Sequence, residues 1–257
     1  AFNSDITLFP FPGGERDGER GREAKMDLIW EGFKQAFSLI IKGDSEVLRV
    51  TWLSLKVSGL AVFVSLVFGI PLGTFLAFSR FPGRNLMVSL VNTGMGLPPV
   101  VVGLFVVMLL WRSGPLGFLN LLYTPAAMII AQVIIAFPII TGLTIAGMGQ
   151  LDPKFRLQLL ALGASRFQLF WLLVREVRLP LLAAIMAGFG GAISEVGAVM
   201  MVGGNIKGHT RVLTTATVLE SRMGHFEMAI ALGVILLTLT FAVNWALTWV
   251  QQHRRLQ

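Results

Sequence analysis

Side chains able to do chemistry are few and dispersed along these 257 residues. There is no cysteine and there are three scattered histidines, so thiolate nucleophiles, disulfides and zinc ribbons are excluded and no metal site is expected. No clustered His, Asp or Ser set forms an acid–base or nucleophilic constellation, so no catalytic residue is assigned. Gly203-x-x-x-x-Gly208-His209-Thr210 has the outline of a Walker A loop. His209 stands where the phosphate-binding lysine belongs and no strand precedes it, so the chain is not expected to hydrolyse ATP or hold a cofactor of its own.

Two polar groupings remain. In Ser194-Glu195-Val196-Gly197 a lone acid sits in apolar sequence. A carboxylate in lipid is costly, so Glu195 is expected to face a partner or a cavity, as a gate, an inter-helix hydrogen bond or a structural group. Downstream, Asn205, Thr210, Arg211, Thr214, Thr215 and exposed glycine amides supply the donors that a doubly charged tetrahedral oxyanion needs. Lys207 and Arg211 would attract such an anion. The same loop would also suit docking of a second protein, its charges pairing across the interface.

The elements that must position these groups belong to a membrane. The chain is 54% hydrophobic and 14% charged, with a mean hydropathy of +0.74, which does not describe a water-facing surface. Its formal charge of +7 is interrupted by apolar blocks and forms no single stripe, so a membrane surface is implied and nucleic acid is not. A bilayer core of about 30 Å needs about 20 apolar helical residues. Five segments meet or approach that length: Val57 to Phe78, Leu86 to Trp111, Ala126 to Met148, Leu179 to about Val202, and Met228 to Gln252. Gly96-Leu97-Pro98-Pro99 must bend or break the second, and Pro138 acts more mildly on the third. Gly69 and Gly73 read as a helix contact, since small residues let helices approach. Broken helices tend to line cavities, which favours a pathway over a passive anchor.

An all-α membrane protein follows, with five transmembrane helices and an N-terminal amphipathic helix. Leu28, Ile29, Phe33, Ala36, Phe37 and Ile40 recur at helical spacing within Asp27 to Lys42, a stretch too short and charged to span. Residues 1–25 are expected to be a disordered, non-native tail, 26–49 to hold the interfacial helix, 50–252 the transmembrane domain and 253–257 a cytoplasmic end. Basic residues set orientation. Arg80 and Arg84, then Lys154, Arg156, Arg166, Arg175 and Arg178, then Arg254 and Arg255 all fall on one side of a five-span chain. That side is expected to be cytoplasmic, with the N-terminus outside, in a cytoplasmic (inner) membrane.

Between Asp152 and Pro180 the sequence reads as a short helix, a glycine turn and a second short helix. Phe167, Phe170 and Trp171 beside basic residues suit docking into a soluble partner's groove, or lying on the membrane surface. Leu160, Ala161, Gly163, Ala164, Ser165 and Phe167 in this stretch, with Leu179-Pro180 opening the next span, resemble the coupling loop of type I ABC importer permeases. Two departures stand out. The Glu-Ala-Ala that usually precedes the glycine is Leu157-Gln158-Leu159, and the Leu-Pro usually found soon after the loop is Arg175-Glu176, one helical turn before Leu179-Pro180.

The acid-x-Gly-Ala of Glu195 to Ala198, the Gly204-Asn205 turn and Arg211-Val212-Leu213-Thr214-Thr215-Ala216 resemble the oxyanion branch of that family, closest to its tungstate permeases. The resemblance implies a homodimer with a separate ATPase subunit carrying ATP and Mg, and an external substrate-binding protein. It places Ser194, Glu195, Gly197, Pro98 and Pro99 near the gate. Molybdate or sulfate is the alternative cargo within the family. A secondary anion transporter is the alternative outside it, although after Lys56 only Glu195 is ionisable in the spans.

Overall fold

The computed structural model describes residues 29–39, 41 and 43–253. The tail of 1–25, the start of the amphipathic helix at Met26 to Leu28, and Arg254 and Arg255 lie outside the described residues. Helices follow one another with no strand among the described residues: α1 (29–39), α2 (Ser45–Phe78), α3 (Arg84–Met95), α4 (Pro99–Leu110), α5 (Pro125–Gly149), α6 (Pro153–Ala161), α7 (Arg166–Glu176), α8 (Arg178–Ile193), α9 (Gly197–Gly203), α10 (Leu213–Arg222) and α11 (Phe226–His253).

Three helices, α2, α5 and α11, are long and apolar enough to cross a membrane unbroken, and two bent pairs, α3 with α4 and α8 with α9, raise the count to as many as five when each pair is taken as one span. Five spans were expected, and Gly96 to Pro99 breaks the second one by 104°. Pro98 and Pro99 can donate no backbone hydrogen bond, so the helical ladder stops there and restarts with Pro99 in the first turn of α4. The fourth span also breaks, by 55° between Ile193 and Gly197, which its hydropathy did not announce. Helix α5 runs through Pro138 unbroken.

Capping chemistry fixes the starts. Asp44 accepts from the amides of Glu46 and Val47 and opens α2 at Ser45, a dozen residues before the expected Val57. Gly43 at φ +64° and the Asp44 cap separate α1 from α2. Thr124 caps α5, with Pro125 at its first position.

The core is built around α5. Gly69 and Gly73 of α2 lie against it: a Cβ at Gly73 would sit 2.7 Å from Cβ of Thr144, and one at Gly69 3.0 Å from Oγ1 of Thr141. Both threonine hydroxyls donate to carbonyls one turn back within α5, so the crossing is made with no polar hydrogen left over. Elsewhere along α5, Gly94 of α3 meets Pro138, and Gly188 of α8 meets Ile140, which Gly69 also touches. One apolar cluster, of Val57, Val106, Met128, Val199 and Val202, fills the end where α4 and α9 cross. Another, of Met148, Leu173, Val177 and Leu181, fills the opposite end.

All six tryptophans are more exposed than buried or nearly so. Trp30, Trp52 and Trp111 stand at the first of these ends, and Trp171, Trp245 and Trp249 toward the second. Two aromatic girdles are the arrangement expected at the two faces of a bilayer.

Candidate functional site

The break in α3–α4 and the break in α8–α9 lie side by side. A Cβ at Gly197 would fall 2.9 Å from Cγ2 of Val100, one residue past Pro99, and a Cβ at Gly103 would fall 2.7 Å from Cα of Ala198. Glycine at 103 thus lets α4 meet the backbone of α9, and glycine at 197 leaves room for the Val100 side chain. Pro98, Pro99, Ser194, Glu195 and Gly197, which the sequence proposed as one gate, are brought together by this crossing. Leu97, Val100, Val101 and Leu104 remain exposed around it, as does Ser194. The crossing of the two breaks therefore lies on the surface of the single chain.

Glu195 is half-buried, and its carboxylate accepts a hydrogen bond of 2.9 Å from the amide of Ala198 in the first turn of α9. A carboxylate there satisfies a free amide and favours the positive end of the helix. The described contact is local, within one span. The connection to other helices runs instead through backbone: the Glu195 carbonyl accepts from Oγ1 of Thr214 at 3.1 Å. The Ala192 carbonyl just before it accepts from Nε2 of Gln132 at 2.9 Å. Gln132 was missed by sequence reasoning, although an amide in the middle of an otherwise apolar span was a visible signal.

The loop after α9 is compact. Gly204, Asn205 and Gly208 take left-handed backbone conformations at φ +70°, 50° and +75°, and the carbonyl of Ile206 accepts from the amides of His209, Thr210 and Arg211. The hydroxyl of Thr210, fully buried, donates to the Gly203 carbonyl and accepts from the Ile206 amide. Thr215 donates to the Val212 carbonyl, and Thr214 is engaged at Glu195. These three hydroxyls therefore brace the loop. Asn205 reaches the Thr215 carbonyl at 3.5 Å.

Charge in this loop is paired with the start of α2. Glu46 meets Nζ of Lys207 at 2.7 Å and Arg211 at 3.7 Å, and the guanidinium of Arg49 donates to the Gly208 carbonyl. Lys207 and Glu46 are both exposed, so that pair contributes little stability and is screened by salt. The four side chains carry three positive charges against one negative, a surface that draws anions or acidic partners. Glu46 and Arg49 were not singled out in the sequence, because they fall in the segment read as interfacial helix.

At the opposite end, α6 and α7 form the helix–turn–helix read from the sequence. Asp152 caps α6 and Ser165 caps α7, in a reciprocal capping box with Gln168. Gly163 at φ +82° makes the turn between them, and its Cβ position is open space. Helix α6 buries none of its residues, and Leu157, Leu160, Leu162, Phe167 and Trp171 are exposed. The guanidinium of Arg156 lies 5.6 Å from the centroid of Phe78, the last residue of α2. Leu173 and Val177 of the second arm pack on Met148 of α5 and Leu181 of α8. An apolar surface is thus mounted on the ends of α2, α5 and α8.

Comparison with known proteins agrees with this architecture. The family described as binding-protein-dependent transport system inner membrane component matches residues 69–256. The chain is similar to the tungstate uptake system permease protein TupB of Peptoclostridium acidaminophilum, with 43% identity over 89% of this chain and 100% of that one. It is also similar to a probable anion ABC transporter permease protein of Haloferax volcanii, with 42% identity over 77% of this chain and 88% of that one. Among solved structures, a chain of the inward-facing MetNI methionine ABC transporter superposes with a TM-score of 0.67 at 18% identity, covering 82% of this chain and 96% of that one.

Proposed function

The chain belongs to the binding-protein-dependent transport system inner membrane component family, and from that premise we propose that it is the permease subunit of an ATP-driven importer for tungstate. The observation that carries the substrate is the likeness to a tungstate uptake permease along that protein's whole length. The cationic cluster of Arg49, Lys207 and Arg211 is compatible with an oxyanion or with an acidic rim on the protein that delivers it. Glu195 does not contact the anion, since like charges repel; it shapes the gate by starting α9.

Two copies form the pathway, related so that the exposed break at Pro98 to Val101 and Ser194 faces its counterpart. Helix α3 buries none of its own residues, as suits an element completed by a second copy and by lipid. A separate ATPase subunit, carrying ATP and Mg, docks on Leu160, Leu162 and Phe167 around Gly163, with side chains other than the family's Glu-Ala-Ala. Its closure pushes on the ends of α2, α5 and α8. Helix α8 spans 16 residues, about 24 Å, from the docking surface to the break at Ser194. A shift at one end therefore reaches the gate through a rigid element, biasing the chain between two states. The external binding protein docks on the opposite end, over the loop of 204–211. Arg80, Arg84, Lys154 and Arg156 mark the cytoplasmic side, with the N-terminus outside.

The test is ATPase activity of the permease reconstituted with its ATPase and binding protein, with tungstate, molybdate and sulfate supplied separately. Stimulation by tungstate is expected. Stimulation by molybdate or sulfate alone would replace the substrate, and no stimulation by any of the three would overturn the importer reading.

A further inference from the structure

Residues 204–215 touch three separate elements, each through a different group. Arg211 and Lys207 meet Glu46 at the start of α2. The amide of Leu213 donates to Oγ of Ser54, about two turns further along α2, at 2.8 Å in a buried position. Ser54 in turn donates to the carbonyl of Val50, so its oxygen is held in place by its own helix. Thr210 secures the end of α9 at Gly203, and Thr214, 6% exposed, secures the carbonyl of Glu195 in the break before α9. The two ends of α9 are therefore tied to the continuous stretch of the loop and the first turn of α10, and that stretch is tied to α2.

We infer that Thr214 is a positioning residue for the gate: its hydroxyl holds the α8–α9 break through the Glu195 carbonyl, with Ser54 on α2 as the fixed anchor of the neighbouring Leu213 amide. The physical basis is the lack of slack in the connection. Thr214 follows Leu213, whose amide is fixed to Ser54, and the Glu195 carbonyl lies outside the helical ladder, where the ladder itself does not hold it. Loss of the Thr214 hydroxyl therefore frees the break while the backbone beside it stays anchored. This rests on the importer reading only in that the break serves as the gate.

The absence of cysteine permits a direct test in the isolated permease. A cysteine introduced at buried Ile193, the last residue of α8 before the break, is labelled with a water-soluble maleimide, and one at buried Leu173 serves as a remote control. Thr214→Val keeps the volume and removes the donor, whereas Thr214→Ser keeps the donor. Thr214→Val is expected to raise the labelling rate at position 193 about fivefold, as loss of one hydrogen bond would, with position 173 unchanged and Thr214→Ser restoring the slow rate. An unchanged rate at 193 in Thr214→Val, an equal rise at 173, or failure of Thr214→Ser to restore would each overturn the inference. Because no ATPase or binding protein is present, the result stands apart from the oxyanion test: absent stimulation there removes the importer and leaves this tie in place.

Discussion

At Gly163 one torsion angle decides whether two short helices meet at the right angle. Its φ of +82° lies in the left-handed region and nothing approaches its Cβ position, so a side chain there is opposed by backbone strain alone. A β-branched residue pays about 1–2 kcal/mol in that conformation, whereas asparagine tolerates it. Gly163→Val should therefore reduce substrate-stimulated ATPase activity about tenfold in the reconstituted system, and Gly163→Asn should retain most of it; equal activity of the two would take the turn out of coupling. This residue was legible in sequence because a glycine between two capped segments has few other uses. Thr210, Thr214 and Thr215 were legible only as polar. Their donors suit an anion on paper, and it took the folded loop to show that each hydroxyl already serves a backbone carbonyl. Glu195 was recognised as costly in lipid, but its partner is the amide three residues on, a pairing that exists only because the span breaks there.

Among the elements, α2 and α5 form the crossing on which the others rest. Gly73→Leu would force side-chain atoms into the backbone carbonyl of Thr141, 2.9 Å from the Cβ position, and the helices must separate. It should lower the thermal midpoint in detergent by roughly 5 °C, while Gly59→Leu, with open space at its Cβ position, should leave it near the parent value. A smaller loss at Gly73 than at Gly59 would show that this crossing is not the tight one. The spacing of Gly69 and Gly73 announced that contact correctly, and Gly96 to Pro99 announced the first break. The second break was invisible, since Leu179 to Val202 is continuously apolar apart from Glu195 and no proline marks the turn. Carbonyls at the break are held from other helices: that of Ala192 accepts from Gln132 as well as from the Glu195 amide, and that of Glu195 accepts from Thr214.

For the whole molecule, length and hydropathy gave as many as five spans, whereas the helix ends did not follow from them, because α2 continues past the apolar run and Lys56 back to Ser45. The proposed orientation has its own check. Single cysteines at Leu162 and Ile206, both exposed, should behave oppositely in intact cells: position 206 reacts with an impermeant maleimide and position 162 reacts only after lysis. The reverse pattern would invert the protein and move the cationic loop to the cytoplasm. Helix α2 adds a last consequence. Its 34 residues extend about 51 Å, against about 30 Å of hydrocarbon, and even a steep tilt leaves a length of helix standing in water. On the proposed orientation Glu46 and Arg49 crown that post, so cargo is handed over in open electrolyte, within a screening distance of about 8 Å at physiological salt. The ionic strength outside the cell, and not the lipid around the bundle, then governs how firmly the delivering protein is held.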